Sequence, residues 1–139
     1  MRVSNLMSPV PVTVGPETPM FDARRTMQEH RIRHLLVTED ECLVGIVTDR
    51  DIRLNLPSPA TTLSVWEINA LLARLTVREV MTKTVIVIGP DRDAAEAAAI
   101  LLSEKIGALP IVDGRRLVGI VTETDFLRAF VESGALAPR

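Results

Sequence analysis

LVGIVTDRD, residues 43–51, and LVGIVTETD, residues 117–125, agree at seven of nine positions and stand 74 residues apart. Sliding the chain against itself at that offset lays Met7 on Met81, Gly15-Pro16 on Gly89-Pro90, Ile32 on Ile106 and Leu35 on Leu109. No gap is needed over residues 3–54. Self-similarity that runs so far beyond one strand marks a duplicated supersecondary unit rather than a chance match of two apolar segments.

Each copy follows the order β-α-β-β-α after a short lead-in. In the first copy, Val12 to Val14 form a short strand, and Thr18 and Pro19 supply an N-cap and a first-turn proline. The helix they open reaches about Arg31, with Met20, Ala23 and Met27 as its apolar stripe. HLLVT, the acidic turn Glu39 to Glu41 and LVGIVT then read as a hairpin, followed by a helix through Ile52 and Leu54. The second copy repeats this with VIVI at residues 85–88, an alanine-rich helix from about Asp91 to Lys105, LPIVD, a Gly114 turn, LVGIVT and a helix through Phe126 to Val131.

Between the copies, PSPATT at Pro57 to Thr62 is a breaker cluster, and Ser64 to Leu75 read as a helix with Val65, Ile68, Leu72 and Leu75 on one face. The expected organisation is a first repeat over 1–56, an ordered connector over 57–75, a second repeat over 76–132 and a tail over 133–139. LVGIV is apolar at nearly every position, as in strands buried on both faces. Two helices cover only one face of a three-stranded sheet, so the second copy is expected to cover the other. The expected fold is α/β (α+β): two repeats packed sheet to sheet with pseudo-twofold symmetry and two equivalent grooves.

At 139 residues the chain is long enough to bury one sizeable core, and 47% apolar against 24% charged residues place it among globular proteins. A net charge of −2 gives no pull toward a polyanion, and Phe21, Trp66, Phe126 and Phe130 are too few for a base-stacking platform. Both observations argue against nucleic acid. The single cysteine, Cys42, has no internal partner, and two histidines allow no ordinary zinc spacing. No window has the roughly 18 apolar residues of a membrane span, and MRVSNLMSPVPV at the amino terminus lacks the apolar run of a signal peptide. The expectation is a soluble, cytoplasmic protein.

The chemistry concentrates in Thr48-Asp49-Arg50-Asp51 and Thr122-Glu123-Thr124-Asp125, each of which ends a strand and opens a helix. By itself this pattern is a capping box. A carboxylate placed there can also accept two hydrogen bonds from the vicinal hydroxyls of a ribose. Free amides at the helix start, with nearby Arg, His or Ser, can hold a phosphate.

These residues resemble a tandem pair of cystathionine-β-synthase-type (CBS) domains, a Bateman module. The resemblance rests on the Met7-Ser8 and Met81-Thr82 lead-ins, the Leu-Leu-Val and Leu-Pro-Ile hairpins and the doubled Gly-Ile-Val-Thr-x-x-Asp, and it covers residues 3 to about 131. The connector is similar to that of small acetoin-utilisation-type CBS proteins. No additional C-terminal domain, of the kind some of them carry, is expected after the second repeat.

What the resemblance implies is a regulatory module that takes AMP, ADP, ATP or S-adenosylmethionine in clefts between the repeats, with no cofactor required. Asp51 and Asp125 fall on the family's ribose-binding aspartate, and Thr48 and Thr122 on its hydroxyl position. Arg50 and Thr124 belong to the same motifs. On the family pattern Asp125 shares a cleft with Ser8, Arg33 and His34, and Asp51 shares one with Thr82, Gly107 and Ala108. Arg33 and His34 can contact phosphate while Gly107 and Ala108 cannot through their side chains, so the Asp125 cleft is expected to prefer the more highly charged nucleotide. Arg50 and Lys83 partly compensate in the other. Homodimerisation and signalling to a regulated partner protein are also implied.

Other candidates are weaker. Arg31, Arg33 and His34 also read as a solvated helix end with favourable dipole interactions, and His30 as an exposed helix residue. Cys42 has no activating base in the pattern, and the Gly-Pro turns lack a Walker lysine. The Ala94 to Leu102 stretch is apolar over much of its circumference and suits a subunit interface. A ligand-independent scaffold is the main alternative function. Two repeated caps supply no nucleophile and activated base for an enzyme, so no catalytic residue is assigned. A helix-turn-helix over SVWEINALLARLTVREVM lacks a turn glycine and has mixed charge.

Overall fold

The computed structural model describes residues 1–8, 12–56 and 63–135. The breaker cluster at 57–62, part of the lead-in at 9–11 and the end of the tail at 136–139 lie outside the described residues. The chain divides into two compact units, one of Val12–Val85 and one built from Met1–Pro11 with Ile86–Arg139. The architecture is mixed α/β.

In the Val12 unit, strand β1 (Thr13–Val14) runs parallel to β2 (His34–Glu39), which forms an antiparallel hairpin with β3 (Cys42–Thr48). The two-residue turn holds Asp40 at φ 52° and Glu41 at φ 66°, the doubly left-handed geometry that matches strand twist in a tight hairpin. Helix α1 (Met20–His30) buries Met20, Ala23 and Met27 against Leu35, Val37 and Val47, and α2 (Asp49–Leu54) adds Ile52. The connector contributes to the same core through Leu72 of α3 (Val65–Arg74) and Val77 of α4 (Val77–Val80).

In the Ile86 unit, β4 (Ala108–Asp113) and β5 (Arg116–Thr122) form the matching hairpin, turned at Gly114 with φ 65°. Helices α5 (Ala94–Glu104) and α6 (Glu123–Glu132) flank it, and Ala97, Leu101, Leu109, Ile111 and Val121 enclose Val3 from the amino-terminal segment.

Several local expectations are corrected. Thr18 does not cap α1: Pro19 holds the N-cap position and makes no side-chain cap bond. The Met20 amide donates instead to the carbonyl of Leu75 at 2.8 Å, so a tertiary contact replaces the local one. VIVI is not a strand; only Ile88 bridges, to Ile111. Its neighbour in the ladder, Pro110, has no N–H, whereas the residue at the equivalent place in the first repeat is Leu36. Helix α5 begins at Ala94, not near Asp91, because the Asp93 side chain accepts from the Ala95 amide and sets the N-cap there. Val65 leaves the inner face of α3 and is 71% exposed, while Leu72 is buried. The fully buried strands are β2 and β4 at Leu35–Val37 and Ala108–Ile111; in β3 and β5 only Gly45, Val47, Gly119 and Val121 are.

The lead-ins explain how each unit is built internally. Residues 75–78 lie along residues 16–20: Val77 donates to Thr18 at 2.8 Å and Arg78 to Pro16 at 2.8 Å. The amino terminus repeats this in the Ile86 unit, where Val3 donates to Arg92 at 2.9 Å, Ser4 to Pro90 at 3.0 Å and Ala94 to Met1 at 2.8 Å. Further on, Thr82 and Ile46 exchange backbone bonds at 2.8 and 3.0 Å, and Ser8 and Ile120 exchange them at 2.9 and 3.3 Å. Each repeat's hairpin therefore carries the lead-in of the other repeat.

Candidate functional site

The last residues of β3 and β5 position the Thr-x-x-Asp motifs. Thr48 is the N-cap of α2: its amide donates to Asp51 Oδ2 at 2.9 Å, and the Asp51 amide donates to Thr48 Oγ1 at 3.1 Å. Thr122 repeats this before α6, with its amide on Asp125 Oδ2 at 2.8 Å, its hydroxyl on the same oxygen at 3.1 Å and the Asp125 amide on Thr122 Oγ1 at 3.4 Å. Both motifs are full capping boxes. Each box pins one carboxylate oxygen and fixes the direction of the other.

The second oxygens differ in their surroundings. Asp125 Oδ1 pairs with Arg128 Nη1 at 3.3 Å, the Asp125 side chain being 14% exposed and Arg128 60%. At the place equivalent to Arg128 the first repeat has Leu54, and among the described residues the bonds to the Asp51 carboxylate engage Oδ2 alone. The acid next to the cap is also committed, Asp49 pairing with Arg53 at 3.3 Å.

Helix-start amides are scarcer than the sequence led one to expect. The Asp49 amide donates to the carbonyl of Arg33 at 3.0 Å and the Glu123 amide to that of Gly107 at 3.1 Å, while the amides of Asp51 and Asp125 serve the caps. Among the described residues only the Arg50 and Thr124 amides in those first turns have no such bond. A phosphate would have to be held mainly by side chains, since one amide is a weak anion site.

The remaining candidates fall as follows. Ser8, exposed, is docked on β5 two residues before Thr122, in the unit of Asp125; Thr82, exposed, is docked on β3 two residues before Thr48, in the unit of Asp51. Lys83 follows it, exposed. Arg33 and His34 lead into β2 beside Asp51's hairpin, His34 pairing with Thr48 in the ladder. Gly107 and Ala108 lead into β4, where Ala108 is buried and pairs with Thr122. Arg128 was not singled out from the sequence, although an acid three residues before an arginine on a helix is the spacing of a side-chain pair.

Among the described residues no group of three or more His, Cys, Asp or Glu is placed to hold a metal, and no helix is long and apolar enough to cross a membrane. Helix α4 has only four residues, too short for a recognition helix after α3.

Two α/β half-modules, each closing a hairpin with a capped Thr-x-x-Asp and each carrying the other's lead-in, define a duplicated module. A family model of the CBS domain matches residues 3–58 and again 77–132, and the chain belongs to the CBS-domain family as a tandem pair, a regulatory module.

Its relatives include inosine-5'-monophosphate dehydrogenase of Korarchaeum cryptofilum, 37% identical over 115 residues, which cover 82% of this chain and 21% of that protein. The chain thus spans about a fifth of the length of that relative. Among solved structures, a Vibrio cholerae protein assigned to acetoin utilization superimposes with a TM-score of 0.81 at 28% identity, over 98% of this chain and 94% of that one. A CBS domain pair crystallised with 5'-methylthioadenosine and S-adenosyl-L-methionine does so with a TM-score of 0.76 at 29% identity, over 96% and 98%.

Proposed function

We propose that this chain is a non-catalytic cytoplasmic sensor of adenosyl nucleotides, in which Asp51 and Asp125 each accept the two hydroxyls of a ribose. The observation that carries this reading is the doubled capping box, with each carboxylate held by its Thr amide at 2.8–2.9 Å. A pre-oriented acceptor loses little freedom when it meets a diol, which favours binding over a mobile carboxylate. The solved relative that holds 5'-methylthioadenosine and S-adenosyl-L-methionine supports the ligand class. AMP, ADP, ATP and S-adenosylmethionine are the candidates.

The grouping of Asp125 with Ser8, Arg33 and His34, and of Asp51 with Thr82, Gly107 and Ala108, is part of the same proposal. So is a preference of the Asp125 site for the more charged nucleotide. Transmission would run through a homodimer, for which the apolar face of α6 is the candidate contact: Leu127 is 65% exposed, Phe130 48% and Val131 63%. Signalling to a partner requires that the ligand bind two arrangements of that dimer unequally.

One observation favours the competing reading of a ligand-independent scaffold: both carboxylates already serve as caps through one oxygen, and Asp125 has Arg128 on the other. Thermal-shift titration with the four ligands separates the two, because a ligand that binds only the folded state raises its apparent stability with concentration. A sensor shows a rising transition that Asp51→Asn and Asp125→Asn each reduce. A flat response at millimolar ligand leaves the scaffold. Loss of all binding in Asp51→Ala with none lost in Asp125→Ala would overturn the assignment of the more charged ligand.

A further inference from the structure

The connector helix α3 has no counterpart in the second repeat, and its outer face is the apolar surface left over once the CBS pair is accounted for. Leu63, Glu67, Ala70, Leu71 and Arg74 line a groove of about 260 Å³ along that face. Trp66, 85% exposed, stands on its flank. Within it Glu67, one turn in from Leu63, and Arg74 at the far end carry opposite charges, with Ala70 and Leu71 between them. Glu67 meets only Ser64 in the hydrogen bonds among the described residues, and Arg74 makes no ion pair among them.

We propose that this face docks on α3 of a second copy of the chain, antiparallel, about a twofold axis passing between Ala70 and Leu71. The argument is charge complementarity. Glu67 and Arg74 are seven residues, two helical turns or about 10.5 Å, apart on one face. Their midpoint falls between residues 70 and 71, so turning the helix end for end puts each Glu67 opposite the other copy's Arg74. That is the self-complementarity an isologous contact requires. Ala70 at the crossing lets the helices approach closely, and Trp66 closes the flank.

A pair of ten-residue helices covers less than the roughly 1,200 Å² of a stable interface. The contact is therefore weak, a step above whatever assembly the α6 face makes, and it stands or falls independently of nucleotide binding.

Sedimentation velocity of the full-length chain over a concentration series tests it with four proteins: wild type, Glu67→Arg, Arg74→Glu and the double exchange. The wild type should associate reversibly. Each single reversal should move the midpoint at least fivefold higher in concentration, and the double exchange should return it to within twofold. Mixing Glu67→Arg with Arg74→Glu should restore association, because the two reversed faces are complementary to each other. Circular dichroism confirms that these exposed substitutions leave the fold intact. Four identical profiles would overturn the proposal. Weakened association that neither the double exchange nor mixing restores would also overturn it, pointing to a different partner for the groove.

Discussion

Gly119 lies so close under the Ser8 carbonyl that a β-carbon on it would stand 2.6 Å from that oxygen and 2.7 Å from Met7 Sδ. At the equivalent place in the first repeat, a β-carbon on Gly45 would stand 2.6 Å from Met81 Sδ and 3.1 Å from the Thr82 carbonyl. Glycine gives these two strands room for another stretch of chain to cross them, backbone first at Gly119 and a methionine side chain first at Gly45. The crossing stretches are the lead-ins that bring Ser8 and Thr82 to the two capped helix starts.

The two contacts predict unequal penalties. At Gly119 the obstructing atom is backbone, bonded to Ile120, and moving it pulls the lead-in off the strand; at Gly45 the nearest atom is the end of a methionine, which can swing away. Gly119→Ala is therefore expected to destabilise by about 2–3 kcal/mol and Gly45→Ala by about 1–2 kcal/mol, the range of overpacking in a filled site. Urea unfolding of both variants checks the order. Equal penalties, or the reverse order, would mean that the amino-terminal lead-in is loosely held.

Much of this arrangement could be read from the residues. The duplication, the hairpins and the capping boxes are local, written in spacing and turn chemistry, and Thr48, Asp51, Thr122 and Asp125 stand where the pattern places them. Long-range substitutions for local bonds were invisible: Leu75 replaces Thr18 at the start of α1, and nothing near Thr18 signals it. Pro110 did signal that VIVI would lose its ladder, and the glycine recurring among bulky residues at 45 and 119 signalled a close approach. Neither signal names its partner, so the exchange of lead-ins emerges only in the fold.

The carboxylates' two tasks can be separated. Asn retains a side-chain oxygen to accept the Thr amide but loses the charge that strengthens bonds from a ribose diol. Asp51→Asn and Asp125→Asn are expected to change stability little, whereas Asp51→Ala and Asp125→Ala should each lose about 0.5–1.5 kcal/mol with the hydrogen bond to the Thr amide. All four should weaken adenosyl-nucleotide binding by calorimetry. An Asn variant that binds as tightly as the wild type would show that the acid is a cap and nothing more.

The apolar stripe of α6 gives a prediction about assembly. Leu127, Phe130 and Val131 recur at positions i, i+3 and i+4 and are exposed. Leu127→Glu with Phe130→Glu should convert the proposed dimer to monomer by light scattering without changing the circular dichroism. A mass unaltered by the pair of charges would remove α6 from the interface.

Arg128 tests whether a ligand at Asp125 competes with the carboxylate's own helix. Its guanidinium, at 3.3 Å from Asp125 Oδ1, occupies the oxygen that a ribose hydroxyl would need, and it is largely exposed, so the pair is worth no more than about 1 kcal/mol. Arg128→Ala should then tighten adenosine, which has the diol and no phosphate, by up to about fivefold. For ATP the freed oxygen is offset by the loss of a nearby cation, so the gain should shrink or reverse. Leu54→Arg installs the same competitor beside Asp51 and should weaken adenosine there. The ratio of ATP to adenosine affinity in these two variants is the measurement. If Arg128→Ala leaves both affinities unchanged, Asp125 does not receive the sugar.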